Sequence, residues 1–444
     1  MTFWRSTTPD PAISKSPRWF QMNQKVTAFV VGNREEFEYS QSGKSVLRVV
    51  RLLNGRKVTT RIGMKTMDMP EEDAHSAFDY AYLRKRARPT PSQTSQIVRG
   101  VDLFSGCGGL SLGAMEACSA VGKSFISIAA VDKDPLSLKV YERNFRCSRT
   151  YAHDISDILD GKIGSRPTHN ERLFMRNASN ADLLLAGPPC QGYSDLNNYT
   201  RRNDPRNALY ERVARFVEIC KPEHVLIENV SAVIHGKEGA VQRSIDVMRG
   251  LGYKVDSEIV NVSAIGVPQK RKRHVVVASI SKALSVREVV EKYRVECERS
   301  VMWAIHDLES EPSNSVFTTP SQQTKQNMQR IRYLRRNNAF ELPNRLRPIC
   351  HSKGGHSYKS MYGRLKPDEP AQTITSGFGS PGQGRFVHPT QPRTLTPHEA
   401  ARLQFFPDFF DFSLVTKRTA LANMIGNAAP MKLSYVFCLE LLAQ

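Results

Sequence analysis

Long apolar runs are missing from this chain of 444 residues. No stretch of about 18 or more apolar residues is present, so the sequence predicts no membrane-spanning helix. The N-terminal residues are polar and basic and lack the apolar segment of a secretory signal. The sequence therefore predicts an intracellular protein that does not contact a membrane.

Closely spaced cysteines are also missing. The eight cysteines are scattered along the chain, and no two of them form a Cys-x-x-Cys pair. This distribution argues against a disulfide framework and against a zinc ribbon, so we predict no metal site. It is typical of a reducing, intracellular compartment.

Acidic residues are few relative to basic ones. The 63 Lys and Arg residues exceed the 43 Asp and Glu residues, which gives a formal net charge of +20. A basic chain of this size favours a polyanionic partner, most often nucleic acid. The alternative is a basic protein without such a partner, and charge alone does not separate the two.

Residues 1–98 are predicted to form an N-terminal α+β module and linker. The predicted elements are strands at Val26–Val31 and Val46–Leu53, a turn at Asn54-Gly55, a partner strand at Val58–Ile62 and a helix over Glu71–Arg86. The basic segment 84–92, which contains proline and serine, is interpreted as a linker that contacts phosphates or as a solvated tether.

From residue 99 onward, apolar runs alternate with helical patterns, which predicts βαβ units and a mostly parallel sheet. The predicted strands are Gly100–Phe104, Ser127–Val131, Asp182–Ala186, His224–Ile227 and His274–Ser279. We assign 99–280 to a catalytic domain, 281–390 to a smaller domain and 391–444 to a C-terminal return to the catalytic domain. Residues 325–366 contain eleven Lys or Arg and one acid, Glu341, as a phosphate-binding surface would.

The first predicted strand runs into a glycine-rich loop and then a helix, which is the arrangement of a nucleotide-binding corner. Gly106, Gly108 and Gly109 lie closer together than in the G-x-G-x-x-G pattern, so the loop favours a cofactor without a pyrophosphate. Phe104 is placed to face an adenine. Asp132 follows the second apolar run, where a carboxylate can accept both ribose hydroxyls or, alternatively, cap the next helix.

A cysteine follows the most rigid turn in the sequence. The strand Asp182–Ala186 leads into Gly187-Pro188-Pro189 and then Cys190. Open α/β sheets place their chemistry beyond the carboxyl ends of the strands. A small hydrophobic residue has no reason to stand at such a tip, so Cys190 is predicted to be a nucleophile.

Charged residues accompany two neighbouring strands. Glu228 lies at the end of His224–Ile227, where it could enter the same cleft or act as a helix N-terminal charge. Arg271 and Arg273 precede the last predicted strand, and the alternation of an extended chain puts them on one side. Together with Cys190 they would form an anion or carbonyl clamp.

This ordered set of motifs resembles the cytosine carbon-5 DNA methyltransferases of bacterial restriction–modification systems. The resemblance covers about 99–280 and 360–435. It rests on six motifs in family order: Phe104–Gly108, Pro189–Gln191, Glu228–Val230, Gln269–Arg273, Arg393–Gln404 and Gly426–Pro430. It implies an α/β, Rossmann-like fold that binds S-adenosylmethionine, with a smaller target-recognition domain at 281–390.

The resemblance also implies roles for individual residues. Cys190 would add to carbon 6 of cytosine, Glu228 would contact ring N3 and the exocyclic amine, Arg273 would bind the O2 carbonyl, and Arg271 would support the cysteine or a phosphate. The cofactor-binding residues would be Phe104, Gly106, Cys107, Gly108, Gly109, Asp132, Asp154 and Asn427. The target cytosine would have to flip out of a DNA duplex.

Two features depart from the family. Asp132 stands where the family usually places Glu, which puts the ribose contact in doubt. The first 98 residues lie outside the family core and are expected to form an accessory DNA-binding or interaction module.

Three other functions stay open at this point: a tRNA cytosine-5 methyltransferase, a catalytically silent DNA-binding regulator and a nicotinamide-dependent oxidoreductase. For the main interpretation we expect a bacterial cytoplasmic protein, a monomer on double-stranded DNA, with a restriction endonuclease as a possible partner.

Overall fold

A computed structural model describes most of the chain. The described residues are 26–31, 35–42, 44–63, 73–89, 96–189, 209–235, 239–352 and 360–443. Cys190 lies outside them, as do Glu71 and Glu72 of the predicted N-terminal helix.

The described residues form three β-sheets. The strands are β1 Val26–Val31, β2 Glu35–Ser42, β3 Ser45–Arg51, β4 Lys57–Gly63, β5 Ile97–Leu103, β6 Ser124–Asp132, β7 Thr150–Ala152, β8 Leu183–Ala186, β9 His224–Val230, β10 Lys254–Asn261, β11 Gln269–Lys270, β12 Lys272–Ser279 and β13 Ala371–Gln372. Strands β1 to β4 form an antiparallel sheet in chain order, and β11 pairs with β13.

The largest sheet has seven strands in the order β10-β12-β9-β8-β5-β6-β7. The pairs from β9 to β7 are parallel, whereas β12 runs antiparallel to both β9 and β10. The five predicted strands all overlap strands of this sheet, which confirms the mostly parallel α/β prediction. The edge strand β10 was missed because it is rich in polar residues and only partly buried.

Helices cover both the sheets and the segments between them. They are α1 Ala74–Leu83, α2 Gly109–Ala120, α3 Pro135–Asn144, α4 Ile155–Ile158, α5 His169–Ala178, α6 Leu209–Cys220, α7 Ala240–Gly250, α8 Val286–Lys292, α9 Val301–Ile305, α10 Lys325–Arg336, α11 Ile349–Ser352, α12 Pro397–Leu403, α13 Arg418–Asn427 and α14 Met431–Leu442. Several begin at side-chain caps; Thr168 and Glu171, for example, form a capping box at α5.

The N-terminal sheet contains the predicted hairpin. Arg51 pairs with Lys57 across the turn, where Gly55 has a φ of +79° and Asn54 accepts a hydrogen bond from the Arg56 amide. Strand β2 was not predicted because its acidic residues mask an alternating pattern in which Phe37 and Tyr39 are buried.

The N-terminal sheet and the catalytic domain share one hydrophobic core. Phe37 and Val50 of the sheet and Phe78 of α1 belong to the same buried cluster as Leu112 of α2 and Tyr435 of α14. Burial of both faces explains why every residue of α1 is buried. The N-terminal strands are therefore packed directly against the helix that follows the glycine-rich loop.

The segment predicted as a linker starts with a well-packed residue. Arg84 donates hydrogen bonds to the Asp307 carboxylate at 2.6 Å and to the Trp303 carbonyl at 3.1 Å. Burial, followed by the neighbouring Arg402, lowers the pKa of Arg84 to about 10. The prediction of a phosphate contact or a solvated tether is thus wrong for Arg84, because its guanidinium is bonded to Trp303 and Asp307 within the protein.

Region 281–390 contains a small cluster of its own. Ile331 and Leu334 of α10 pack with Leu342, Tyr362 and Val387. The C-terminal segment then returns to the central sheet, where α14 is buried along its whole length against α2. No helix among the described residues combines the length and the apolar character needed to cross a bilayer.

Candidate active site

The glycine-rich loop connects β5 to α2 through unusual backbone conformations. Phe104, Gly106 and Gly108 have φ values of 59°, 53° and 99°. A β-carbon placed on Gly106 would meet nothing within 4 Å, so this part of the loop faces open space. Gly106 therefore leaves room for a ligand to approach the backbone closely.

Gly108 and Gly109 are required to be glycine for a different physical reason. A β-carbon on Gly108 would lie 2.2 Å from the Phe145 ring, and one on Gly109 would lie 2.4 Å from the Ala429 carbonyl oxygen. These positions need glycine because the C-terminal segment and α3 pack closely against the loop. The contacts of Gly108 and Gly109 with the cofactor stay a prediction, and such contacts would be made by backbone atoms.

Cys107 is buried between these glycines. Burial raises the pKa of its thiol to about 12, so the thiol is neutral at physiological pH. Any contribution of Cys107 to the cofactor site is expected to come from its backbone rather than from a thiolate.

Asp132 connects the second strand to the glycine-rich loop. Its carboxylate accepts hydrogen bonds from the Gly106 amide at 2.8 Å and from the Asp134 amide at 2.8 Å. Asp134, not Asp132, caps α3 by accepting from the Leu136 amide. The alternative interpretation of Asp132 as a helix cap is therefore wrong. Burial raises the pKa of Asp132.

Asp154 follows the short third strand and lies on the surface. Its carboxylate accepts a hydrogen bond from the Ser156 amide at 2.9 Å and caps α4. This cap leaves the second carboxylate oxygen available. The adenine contact of Asp154 remains a prediction.

The turn before Cys190 is held between two neighbouring strands. The Gly187 amide donates to the Leu103 carbonyl at 3.2 Å, and the Pro188 carbonyl accepts from Asn229 Nδ2 at 3.2 Å. The space beside Gly187 is bounded by Glu228 Oε2 and the Phe104 carbonyl, each 3.9 Å from an ideal β-carbon. The cofactor loop, the turn and Glu228 therefore meet at one point.

Glu228 and Arg273 form an ion pair at this point. Arg273 Nε lies 2.5 Å from Glu228 Oε1, and both side chains are about nine-tenths buried, with exposed fractions of 11% and 10%. Strands β9 and β12 pair Val230 with Arg273 and Glu228 with Val275, so the two charged residues are diagonal neighbours on one face. Arg273 also donates to the Lys272 carbonyl at 2.7 Å, which fixes the guanidinium.

Arg271 has different contacts from Arg273. Its buried guanidinium donates to the Ile374 carbonyl at 2.8 Å and to the Gly426 and Ala428 carbonyls at 3.3 Å. These bonds join the loop Thr373–Gly379 to the motif Gly426–Pro430. Arg271 and Arg273 therefore have separate partners, although the alternation of an extended chain predicts one side for both. A role of Arg271 beside Cys190 stays a prediction.

Two glutamines complete the same junction. Gln269 Nε2 donates to Gln404 Oε1 at 2.6 Å, and Gln269 Oε1 accepts from the Ile374 amide at 3.0 Å. Gln404 Nε2 in turn donates to the Ile425 carbonyl at 2.7 Å. The motifs containing Gln269 and Gln404 therefore meet in space and position the C-terminal motif.

Asn427 ends α13 within that C-terminal motif, and its side chain is exposed. The neighbouring Gly426 lies against Thr375 and Ser376, where a β-carbon would be 2.2 Å from the Ser376 amide nitrogen. On the other side, Ala429 contacts Gly109 of the cofactor loop. Asn427 is thus on the segment that joins the two loops.

A buried polar network, which the sequence pattern did not predict, lies beneath the loop. Asp102 on β5 accepts a hydrogen bond from Ser111 Oγ at 2.6 Å, and Ser111 contacts the Tyr141 hydroxyl at 2.7 Å. Tyr141 donates to Ser127 Oγ at 2.9 Å. An acid inside an otherwise apolar strand was the available signal. The network ties the start of α2 to strands β5 and β6.

The fold and this site define a Rossmann-like methyltransferase, with a glycine-rich loop, an acid after the second strand and a buried Glu–Arg pair beside a Pro-Pro turn. A family model described as C-5 cytosine-specific DNA methylase matches residues 98–441. The chain belongs to this family. The predictions of family, fold class, enzyme class and S-adenosylmethionine as methyl donor are therefore confirmed.

Relatives extend the comparison. The chain is 44% identical over 399 residues to the Type II methyltransferase M1.BsuMI of Bacillus subtilis strain 168, covering 90% of this chain and 93% of that protein. It is 29% identical over 346 residues to the Type II methylase M.HgiDII of Herpetosiphon aurantiacus, covering 76% and 92%. The first match is longer than 98–441, so it extends into the N-terminal residues.

A solved structure shows the same fold. It is a prophage-encoded protein of E. coli described as a DNA modification methyltransferase, and it superimposes with a TM-score of 0.53 at 24% identity. The match covers 78% of this chain and 98% of that one.

Proposed function

We propose that this enzyme methylates carbon 5 of a cytosine extruded from duplex DNA, through a transient bond between Cys190 Sγ and carbon 6 of the ring. The observation that carries the proposal is the Glu228–Arg273 ion pair at the tip of β9, next to the Pro188 carbonyl that Asn229 binds. Cys190 follows Pro188 by two residues.

The chemistry requires activation of a poor nucleophile. A thiolate that adds its electron pair to carbon 6 moves the ring electrons toward carbon 5 and N3, so carbon 5 becomes nucleophilic. Bound S-adenosylmethionine supplies the electrophilic methyl group for carbon 5. A base then takes the carbon-5 proton, and the electrons return to expel the Cys190 thiolate.

Glu228 and Arg273 are suited to hold the ring during this step. With Glu228 Oε1 engaged by Arg273, Oε2 is left to meet ring N3 and the exocyclic amine. The Arg273 guanidinium would donate to the O2 carbonyl. Because both side chains are fixed by burial and by their mutual contact, they would need little reorganisation when charge develops on the ring.

The residues of the loop fit the methyl donor. The open space at Gly106 would admit the cofactor against the backbone, and the Asp132 carboxylate, already anchored at Gly106, would accept the ribose hydroxyls. We propose adenine contacts at Phe104 and Asp154 and a contact from the exposed Asn427. The shorter Asp132 is partly compensated by its direct hydrogen bond to the loop.

We further propose a sequence-specific role in a bacterial restriction–modification system, as the Type II names of both relatives suggest. Such a role implies chromosomal DNA as the substrate, the cytoplasm as the location and a cognate endonuclease as a possible partner. The enzyme would act as a monomer on DNA. Residues 281–390 would provide the second wall of the cleft, and the described part of residues 1–98 would be a scaffold on which α2 rests.

Covalent trapping tests the proposal. A duplex in which the target cytosine carries fluorine at carbon 5 cannot lose a proton there, so Cys190 should remain bonded to the ring after denaturation. The unsubstituted chain and Cys297→Ser, which removes an exposed cysteine elsewhere, should both form the adduct. Cys190→Ser should form none. An adduct with Cys190→Ser would overturn the assignment.

The same preparation separates the remaining alternatives. Transfer of a labelled methyl group to DNA and not to tRNA supports the proposal, whereas transfer to tRNA alone supports the RNA enzyme. DNA binding without transfer to either substrate supports the silent regulator. Bisulfite sequencing of DNA from expressing cells would then give the methylated motif.

A further inference from the structure

Helix α10 of region 281–390 presents a single basic stripe to solvent. Lys325, Gln329, Arg332 and Arg336 are all exposed, and they follow one another at intervals of four, three and four residues. This spacing puts the four side chains on one line along the helix. We call these four residues the stripe.

The stripe lies opposite the buried face of α10. Ile331 and Leu334 are fully buried in the small cluster of this region. Arg330, on the flank, donates to the Leu346 carbonyl at 2.8 Å and packs over the Tyr362 ring. The helix therefore packs against the protein with one face, and its opposite face is exposed to solvent.

The described part of the chain places no carboxylate against these charges. Among the described residues, Lys325, Arg332, Arg335 and Arg336 form no ion pair. Glu341 is the one acid between residues 325 and 366, and it pairs with Arg385 at 2.9 Å. Within the residues that the structure describes, these four cations of α10 therefore have no internal counterion.

Exposed arginines at two other helices are paired with acids. Arg243 of α7 pairs with Glu211 of α6 at 2.6 Å, and Arg294 pairs with Glu291 of α8 at 2.5 Å. A surface that serves only for solvation would be expected to mix charges in this way. Arg335 of α10 instead acts on a like charge: burial and then Arg335 lower the pKa of Arg364, which lies outside the helix.

The start of α10 is connected to the active-site loops. Thr324 caps the helix, and the preceding Gln323 donates to the Gly379 carbonyl at 2.8 Å. Gly379 ends the loop that Arg271 binds at Ile374. The loop Thr373–Gly379 therefore connects the start of α10 to the junction beside the cofactor loop.

We propose that α10 is the element that contacts the DNA target, with its stripe in the major groove and Gln329 as a specificity-determining residue. This rests on the proposed function, since duplex DNA is the partner. The stripe extends over about 16 Å, the length of roughly five base pairs, and the major groove admits a helix. Its Lys and Arg side chains match phosphates and guanine edges.

Gln329 is placed to read a base within this arrangement. Its amide offers both a donor and an acceptor, which matches the N7 and N6 groups of adenine. Lys325 and Arg332 on either side along the stripe would fix the register of the helix on the backbone. The charged side chains would thus position the helix, and the neutral amide of Gln329 would discriminate between bases.

A pair of double variants tests the electrostatic part. Arg332→Ala with Arg336→Ala removes two exposed cations spaced by four residues. Arg172→Ala with Arg176→Ala does the same on α5 and is the matched control. Binding of the purified full chain to a duplex containing the methylated motif is measured by anisotropy at several salt concentrations.

We expect the α10 double variant to bind DNA about tenfold or more weakly. The slope of the logarithm of the binding constant against the logarithm of the salt concentration should be smaller in magnitude by about 1 to 2. The α5 double variant should match the unsubstituted chain. Equal affinity and equal salt dependence for the two double variants would overturn the assignment of α10. Because binding is measured separately from methyl transfer, a failure of the proposed enzymatic function would be recognised in the unsubstituted chain.

Gln329→Ala tests the readout. We expect discrimination at one base pair of the motif to fall by roughly tenfold, with the affinity for nonspecific DNA unchanged. Bisulfite sequencing of DNA methylated by this variant should show that position relaxed. Unchanged discrimination at every position would contradict the role of Gln329.

Discussion

Arg48 on the N-terminal sheet donates a hydrogen bond to Glu116 of α2 at 2.9 Å, and both side chains are buried, with exposed fractions of 1% and 8%. The same guanidinium donates to the Tyr435 hydroxyl of α14 at 2.9 Å. One side chain therefore connects the N-terminal strands to the helix after the cofactor loop and to the last helix of the chain.

This contact predicts that Arg48→Met is strongly destabilising. The substitution would leave the Glu116 carboxylate buried without its cation, which typically costs about 3–5 kcal/mol. Thermal unfolding of the full chain measures the effect. Arg51→Met, on the same strand but on its more exposed face, should change the free energy of unfolding by less than about 1 kcal/mol.

A second substitution isolates the ion pair. Combining Arg48→Met with Glu116→Leu removes both charges, so the double variant should be more stable than Arg48→Met alone. If the double variant were less stable than the unsubstituted chain by the sum of the two single losses, Arg48 and Glu116 would not be coupled.

The two glycine types of the cofactor loop predict two different defects. Gly106→Ala puts a methyl group into open space beside Asp132 and strains a backbone with positive φ, so the KM for S-adenosylmethionine should rise. Gly109→Ala meets the Ala429 carbonyl at 2.4 Å, so it should lower the stability by about 1–3 kcal/mol.

Steady-state kinetics and thermal unfolding of both variants would show the difference. A large stability loss in Gly106→Ala with an unchanged KM would contradict the view that this residue faces the cofactor. A raised KM in Gly109→Ala with an unchanged stability would contradict its packing role.

Glu228→Gln should lower kcat while leaving DNA binding intact. An amide cannot hold or release the proton at ring N3 as a carboxyl group can, and it weakens the contact with Arg273. The expected loss is roughly a hundredfold or more. Glu223→Gln changes an exposed glutamate just before the same strand, and its kcat should equal that of the unsubstituted enzyme. Comparable kcat for the two variants would exclude the proposed role of Glu228.

Asp102 predicts a pH dependence of stability. Burial raises the pKa of its carboxyl to about 7, against the hydrogen bond from Ser111. Between about pH 4 and pH 7 the folded protein keeps a proton that the unfolded chain has lost, so stability falls as the pH rises. The contribution is on the order of 4 kcal/mol over this range.

Asp102→Asn should flatten that part of the profile, because its side chain carries no titrating proton and can still accept from Ser111. Melting temperatures measured from pH 4 to pH 8 would show the change. Asp182→Asn, a partly exposed acid just before β8, is the control and should keep the original slope. An unchanged slope in Asp102→Asn would contradict the prediction.

The central strands and the order of the site motifs were predictable because they depend on local pattern. Buried parallel strands such as β8 are short apolar runs, and the glycines, prolines and acids that follow them stand out against those runs. Strand β2 and the edge strand β10 were not, since the polar residues on their less buried faces obscure the alternation.

The sequence by itself determined the family, the α/β class and the residues that end each strand. Only the tertiary structure decided which of these residues meet. Arg271 and Arg273 are two positions apart, yet one binds backbone carbonyls of the C-terminal motif and the other binds Glu228. Partners such as Arg48 and Glu116, or Gly109 and Ala429, are far apart in the chain and depend on how helices pack, which no local pattern encodes.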